Sequence, residues 1–292
     1  MEKYTSRVIP LSELPKWSRW PARLLNLVEW KVPTRDVAKV DEEYDKNVYL
    51  HCVEYFHSHP GATADDVRAQ EFRLPRPPVC VSRKNVLYEM PSEHLMTVDN
   101  EMLIDLLRPY MKDVDTVIEL GCGYGYNLYV LRKEFPGKTY IGGEYSQNAV
   151  SLAAELYKGA ADLRIEQFNY YDDTYTMFEK LPKTAKVLLF TRHSIEQLPS
   201  AKKFVETVMK YADRLVTVLH MEVAFENNGD DLLGMLRKRY VTANDYNRDI
   251  VGLLTGRTDI EIVRNDPDEY GENPLNPSSV IVWQPRISVV RS

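Results

Sequence analysis

Three stretches of this chain carry residues whose types and spacing can do chemistry. The first, Glu119-Leu120-Gly121-Cys122-Gly123-Tyr124-Gly125, places glycines at alternate positions between an apolar run and a helical one. Glycines there let the backbone turn tightly and let a ligand approach the main chain, with free N–H groups of the following helix facing outward. Glu144 closes the next apolar run, about 20 residues on, where a carboxylate can accept hydrogen bonds from both hydroxyls of a ribose. The other two stretches are polar, Thr191-Arg192-His193-Ser194-Ile195-Glu196-Gln197 and His220-Met221-Glu222-Val223-Ala224-Phe225-Glu226. Either His193 or His220 can act as a general base, because imidazole titrates near neutrality. Glu222 and Glu226 can hold a cationic amine through charge-assisted hydrogen bonds. Plainer roles compete: close packing for the glycines, and hydrogen bonding at a strand end for each histidine.

Such residues work together only on a scaffold that gathers several strand ends. From Thr116 onward, apolar runs alternate with helical segments, the pattern of parallel strands joined by right-handed crossovers. The spacing predicts strands over 116–120, 139–144, 163–168, 187–192 and 215–220, helices over 127–134, 147–157 and 201–211, and a helical region over 230–254. Two last strands, 259–264 and 279–283, are separated by a polar loop with no room for a helix, so they must run antiparallel. The expected fold is a doubly wound α/β domain over 111–292, with a seven-stranded sheet ending in an antiparallel hairpin. Ligands of open sheets bind beyond the carboxyl ends of the strands, where all three stretches fall.

Residues 1–110 read differently, as an N-terminal helical cap or lid with Pro-rich breaks and no convincing strand. Val37, Val40, Tyr44, Val48, Cys52 or Val53, and Phe56 recur as one stripe of an amphipathic helix. Thr63 and Asp66 resemble a capping signal for a helix reaching Phe72, which Leu74-Pro75-Arg76-Pro77-Pro78 then stops. A last helix, capped near Asp99, leads into the first core strand. Trp17, Trp20 and Trp30 are candidates for the inner face of such a lid. His51, Cys52, His57 and His59 lack a matched second ligand pair and read as a His-rich helix end.

The segment 119–125 together with Glu144 resembles the first two motifs of the class I S-adenosylmethionine-dependent methyltransferases, a Rossmann-like superfamily. The likeness extends over about residues 100–285, including the closing hairpin. It implies S-adenosylmethionine as cofactor, with Gly121, Gly123 and Gly125 along its aminoacyl part, Glu119 orienting its ammonium and Glu144 on its ribose. Where the family commonly has Asp after the third strand, this chain has Phe168-Asn169-Tyr170, so Asn169 or Asp172 would meet the adenine amine. Tyr124, Tyr126, Tyr145, Tyr170 and Tyr171 flank the same region, and an aromatic face suits a sulfonium. A nicotinamide-dependent dehydrogenase is the rival, but Tyr126 stands where its G-x-G-x-x-G fingerprint needs the last glycine.

Bulk properties narrow the reaction. With 37 basic and 43 acidic residues among 292, the formal charge of −6 offers no general attraction to polyphosphate, which disfavours a nucleic-acid substrate. The three cysteines form no CxxC pair, and His193, His220, Glu196 and Glu222 have no recognised metal-ligand spacing, so no metal is expected. The first residues show no secretory pattern, and no run approaches the ~20 apolar residues of a membrane span, so a cytoplasmic protein is expected. Strand four is followed neither by an Asn/Asp-Pro-Pro-aromatic motif nor by Pro-Cys, which points away from nucleobase and glutamine acceptors. The leading expectation is O- or N-methylation of a small molecule, with a homodimer possible. The alternatives are intramolecular cyclisation of the cofactor on the same fold, and cofactor binding without catalysis.

Overall fold

The computed structural model describes residues 1–30 and 37–286. Its centre is the strand β4, Thr116–Leu120, every residue of which is buried. Val117 points into one apolar cluster with Leu103 and Leu128, and Ile118 into the opposite one with Phe178 and Phe204. Alternate side chains thus enter separate layers, the period of two that a strand covered on both faces requires.

Around β4 lie β5 (Thr139–Glu144), β6 (Leu163–Gln167), β7 (Val187–Arg192), β8 (Leu215–Glu222), β9 (Ile260–Tyr270) and β10 (Ser278–Pro285). With the small strands β1 (Arg7–Ile9), β2 (Val79–Arg83) and β3 (Val86–Met90) counted first in the chain, the large sheet runs β6-β5-β4-β7-β8-β10-β9. β4 to β8 are parallel, and β10 runs antiparallel to both β8 and β9. Helices Tyr126–Glu134, Gln147–Leu156 and Lys202–Met209 fall where the apolar spacing placed them, and the region before β9 divides into Leu232–Ala243 and Ile250–Thr255. The strand order reverses between β4 and β7, opening the crevice at their carboxyl ends.

The expectation of an all-helical first 110 residues needs correction. β1, β3 and β2 form an antiparallel sheet in that order. The β2–β3 turn passes through Lys84 and Asn85, both with positive φ (49° and 62°), the mark of a tight hairpin. These strands are short and follow Pro77-Pro78, so periodicity over a helix-length window does not register them. A bridge pairs Ser82 with Gly271, Asp268 of β9 accepts from Ser82 Oγ and Asn85 N–H of the small sheet's hairpin, and Arg237 of the helix Leu232–Ala243 pairs with Asp268 at 2.7 Å and donates to Asn85 Oδ1.

The rest of the region is helical. Val37–Asp41, Glu42–Tyr49 and Leu50–Ser58 follow one another, the middle piece in the wider π winding, while the side chain of Val37 lies outside the described residues. Thr63 and Asp66 do form a reciprocal capping box, for the helix Ala64–Glu71. The helix before β4 starts at Leu95, leaving Asp99 in its interior as a buried ion-pair partner rather than a cap. Among the described residues no helix is long and apolar enough to cross a membrane.

Candidate active site and cofactor cleft

Beyond β4 the chain turns through Gly121 (φ 71°) and Gly123 (φ 56°), a backbone region that L side chains rarely enter. Space forbids a side chain as well: a Cβ on Gly121 would lie 2.3 Å from Ser194 Cβ, and one on Gly123 2.6 Å from Tyr49 Oη. Glu144 braces the turn, accepting from Gly123 N–H at 2.7 Å and from Ser146 N–H at 2.8 Å. Burial raises its pKa, against the pull of those backbone donors.

Three cavities adjoin here. One of about 470 Å³ lies between Glu144, Tyr145, Asn169, Tyr170 and the helical segment carrying Tyr44 and Tyr49. A second, about 240 Å³, reaches from Gly121 to Glu119, Arg68 and Arg192. The third, about 500 Å³, lies between Trp17, Arg76 and Asn276. Among the described residues, His193 alone lines all three.

The second cavity is dominated by charge. Asp99 is 4% exposed and accepts from both Arg68 (3.1 Å) and Arg192. Burial raises the pKa of Asp99, but the two guanidiniums outweigh it and the net shift is downward. Arg68 also holds Glu71 at 2.7 Å, and Arg192 donates to Asn127 Oδ1 at 3.2 Å. Asn127 in turn donates to Glu119 Oε1 at 2.6 Å, while Glu119 Oε2 is buried with no partner. Burial pushes the Glu119 carboxyl up to about 8. An uncompensated buried carboxylate oxygen at the end of a cleft suits a cationic ligand group.

His193 is held on both ring nitrogens, by Glu196 Oε2 at 2.9 Å from Nδ1 and by Ser278 Oγ at 2.7 Å from Nε2. Burial lowers its pKa, but the Glu196 and Glu222 carboxylates together raise it more, and the net shift is upward.

The other residues of the polar segments lie elsewhere. His220 is fully buried inside the sheet, with Nδ1 on Thr191 Oγ1 (2.9 Å) and Nε2 accepting from Trp283 Nε1 (2.9 Å). Burial lowers its pKa to about 3, so it stays neutral, reaches none of the three cavities and is no candidate base. Glu222 likewise lines none of the three cavities. Its carboxylate accepts the backbone N–H groups of Ser194, Ile195 and Glu196 at 3.1–3.2 Å, and so anchors the loop that presents His193. Glu226 contacts Gly252 N–H, away from the cleft. His220 and Glu222 are buried within β8, whereas Glu226 lies beyond the strand and is exposed.

Asn169 lines the 470 Å³ cavity, whereas exposed Asp172 does not. Tyr145, Tyr170 and Tyr171 line it too, and Tyr170 Oη lies 2.7 Å from Ser194 Oγ. Tyr124 and Tyr126 border the charged cavity instead. Of the three tryptophans, Trp17 lines the 500 Å³ cavity, while Trp20 packs edge-on against Trp30 and Tyr240. Among the described residues no group of three or more His, Cys, Asp or Glu is placed to hold a metal.

No family model matches the chain. The curated tRNA (guanine-N(7)-)-methyltransferases of Shewanella sp. strains MR-4 and MR-7 are each 26% identical to it over 169 residues, 53% of this chain and 67% of theirs. Among solved structures, the magnesium protoporphyrin IX methyltransferase of Synechocystis PCC 6803, with bound S-adenosylhomocysteine, superposes with a TM-score of 0.49 at 10% identity over 85% of this chain and 99% of its own. The Podospora anserina methyltransferase gives a TM-score of 0.47 at 11% identity, over 89% and 100%. The chain has a Rossmann-like α/β sheet and is similar in sequence to the curated methyltransferases.

Several residues of this cleft went unread in the sequence. Asp45 accepts from Asn148 N–H and Nδ2 (both 3.1 Å) and from Ser146, tying the segment above the cleft to the helix after β5. Tyr49 covers Gly123, and Arg68, Asp99 and Ser278 come from three distant parts of the chain. Periodicity could signal only that Asp99 sits on the apolar face of its helix, an unusual place for a carboxylate.

Proposed function

We propose that the protein is an S-adenosylmethionine-dependent methyltransferase acting on a small molecule, with residues 1–110 closing over the cleft. The observation that carries this reading is the position of His193, which borders the cofactor cleft on one side and a separate 500 Å³ cavity on the other.

Glu119 Oε2 and the Asp99-bound pair Arg68 and Arg192 would hold the ammonium and carboxylate of the cofactor's aminoacyl part. Glu144 would take the ribose hydroxyls, and Asn169 the adenine amine, between the tyrosine rings. Bound there, the cofactor supplies an electrophilic methyl group on a sulfonium. The chain's own work is to align the acceptor, exclude water and remove a proton. The acceptor's proton passes to His193 Nε2, and Glu196 stabilises the imidazolium through Nδ1. Base help of this kind contributes roughly 10²–10⁴-fold.

The acceptor cavity is of ordinary small-ligand size, within the roughly 300–1,000 Å³ of such pockets. The curated relatives are named for tRNA, so tRNA is the second acceptor to assay. The deciding experiment incubates the protein with labelled S-adenosylmethionine, alone and with a metabolite panel or tRNA, and follows binding by calorimetry and products by mass spectrometry. A methylated small molecule supports the proposal, and methylated tRNA replaces the acceptor. Methylthioadenosine released without acceptor supports the cofactor-cyclising alternative, and absence of binding refutes the cofactor assignment.

A further inference from the structure

The 500 Å³ cavity has unmet hydrogen-bonding groups in its walls. Among the described residues nine buried side-chain polar atoms lack a partner, and six of them belong to residues lining the three adjoining cavities. Three of those six, Trp17 Nε1, Arg76 Nε and Asn276 Oδ1, belong to this cavity alone. Native proteins satisfy nearly all their buried polar groups, so two donors and one acceptor left over among the residues around one cavity describe what would complete it.

The wall is built rather than loose. Arg76 N–H meets Ser92 Oγ at 3.3 Å, Ser92 Oγ donates to the Arg76 carbonyl, and Arg76 Nη2 pairs with Glu272. The facing loop is pinned from behind by Arg237 Nε on the Pro274 carbonyl (2.9 Å) and by Asn273 Nδ2 on Tyr240 Oη (3.1 Å). Pro78, Val79 and Pro274 supply apolar surface between the polar groups.

We propose that this cavity is the acceptor subsite and that its occupant is a small, flat carboxylic acid bearing amino or hydroxyl groups, an inference that rests on the methyltransferase reading. The carboxylate takes the Arg76 and Trp17 N–H donors, an N–H or O–H of the ligand meets Asn276 Oδ1, and the nucleophile lies at the His193 border. A guanidinium N–H prefers a carboxylate to its ester, because the ester has lost both the charge and one acceptor oxygen, and the ligand's carboxylate would compete with Glu272 for Arg76.

The test uses the full chain saturated with S-adenosylhomocysteine. Binding of 4-hydroxybenzoate, 4-aminobenzoate and tyrosine, each beside its methyl ester, is followed by ligand-observed NMR for the wild type, Arg76→Gln and Trp17→Phe. At least one acid is expected to bind about tenfold or more tighter than its ester, with that preference abolished in Arg76→Gln and reduced in Trp17→Phe. Both variants should keep the wild-type affinity for S-adenosylhomocysteine, which controls for folding. Equal binding of acid and ester, no binding of any acid to the loaded protein, or an undiminished preference in Arg76→Gln overturns the proposal. A wild type that does not bind S-adenosylhomocysteine strikes the methyltransferase reading instead.

Discussion

His193 Nδ1 lies 2.9 Å from Glu196 Oε2, and this contact within one loop orients the one ring that, among the described residues, lines all three cavities. The loop turns sharply to make it. His193 has a φ of 49°, its N–H donates to the Met221 carbonyl at 3.0 Å, and Glu222 gathers the next three N–H groups. A carboxylate on Nδ1 keeps that nitrogen protonated and leaves Nε2 as the basic atom.

The histidine's upward shift fixes the sign of a pH dependence. The base works deprotonated, so kcat/KM with the identified acceptor should rise with pH through a value above the ordinary histidine range. Glu196→Gln removes the main group that raises it, so the limb should move to lower pH and the plateau fall about 10²-fold. An unmoved limb would show that His193 is not the titrating group.

Glu119 gives a second electrostatic prediction. Its carboxyl is raised to about 8 by burial and is mostly protonated at pH 7 in the empty cleft. A ligand ammonium beside Oε2 would ionise it, so binding of S-adenosylhomocysteine at pH 7 should release about one proton. Calorimetry in two buffers of different ionisation enthalpy measures this, and Glu119→Gln should abolish the release. The same shift affects stability: between the unfolded carboxyl value and about 8 the native state binds more proton, so Glu119 costs increasing stability as pH rises across that window.

Gly123→Ala tests the close approach of Tyr49. The new Cβ would meet Tyr49 Oη at 2.6 Å in a backbone with φ 56°, costing about 1–3 kcal/mol from the backbone alone. Cofactor affinity should fall about tenfold or more. Adding Tyr49→Ala should relieve only the steric share, and full recovery would mean that the backbone carries no strain.

The side chains of Arg237 and Asp268 are 2% and 1% exposed and pair at 2.7 Å, joining the helix Leu232–Ala243 to the end of β9. Arg237→Leu leaves Asp268 buried without its charge partner and should cost about 3–5 kcal/mol, read by denaturant unfolding. Arg237→Leu with Asp268→Leu should recover part of that loss. A single variant as stable as the wild type would show that Ser82 Oγ and Asn85 N–H, which also donate to Asp268, suffice without the arginine.

The sequence by itself determined the parts of this protein that repeat locally. β4, β5 and β7 fall on the expected residues because their two-sided burial writes continuous apolar runs, and the glycine turn declares itself because φ and space at Gly121 and Gly123 exclude other residues. The short β2–β3 hairpin carries no such long signal, and a helical window averaged it away. Tertiary structure alone decided between His193 and His220. Both stand at strand ends in the sequence, but β10 pairs across β8 and its Trp283 seals His220 into the core, while Ser278 of the same strand meets His193 at the cleft. The charged end of the cleft was equally invisible, because Arg68, Asp99 and Arg192 lie far apart in the chain. Local periodicity records which face of an element is buried; which charges meet there depends on how the elements pack, and that information is not local.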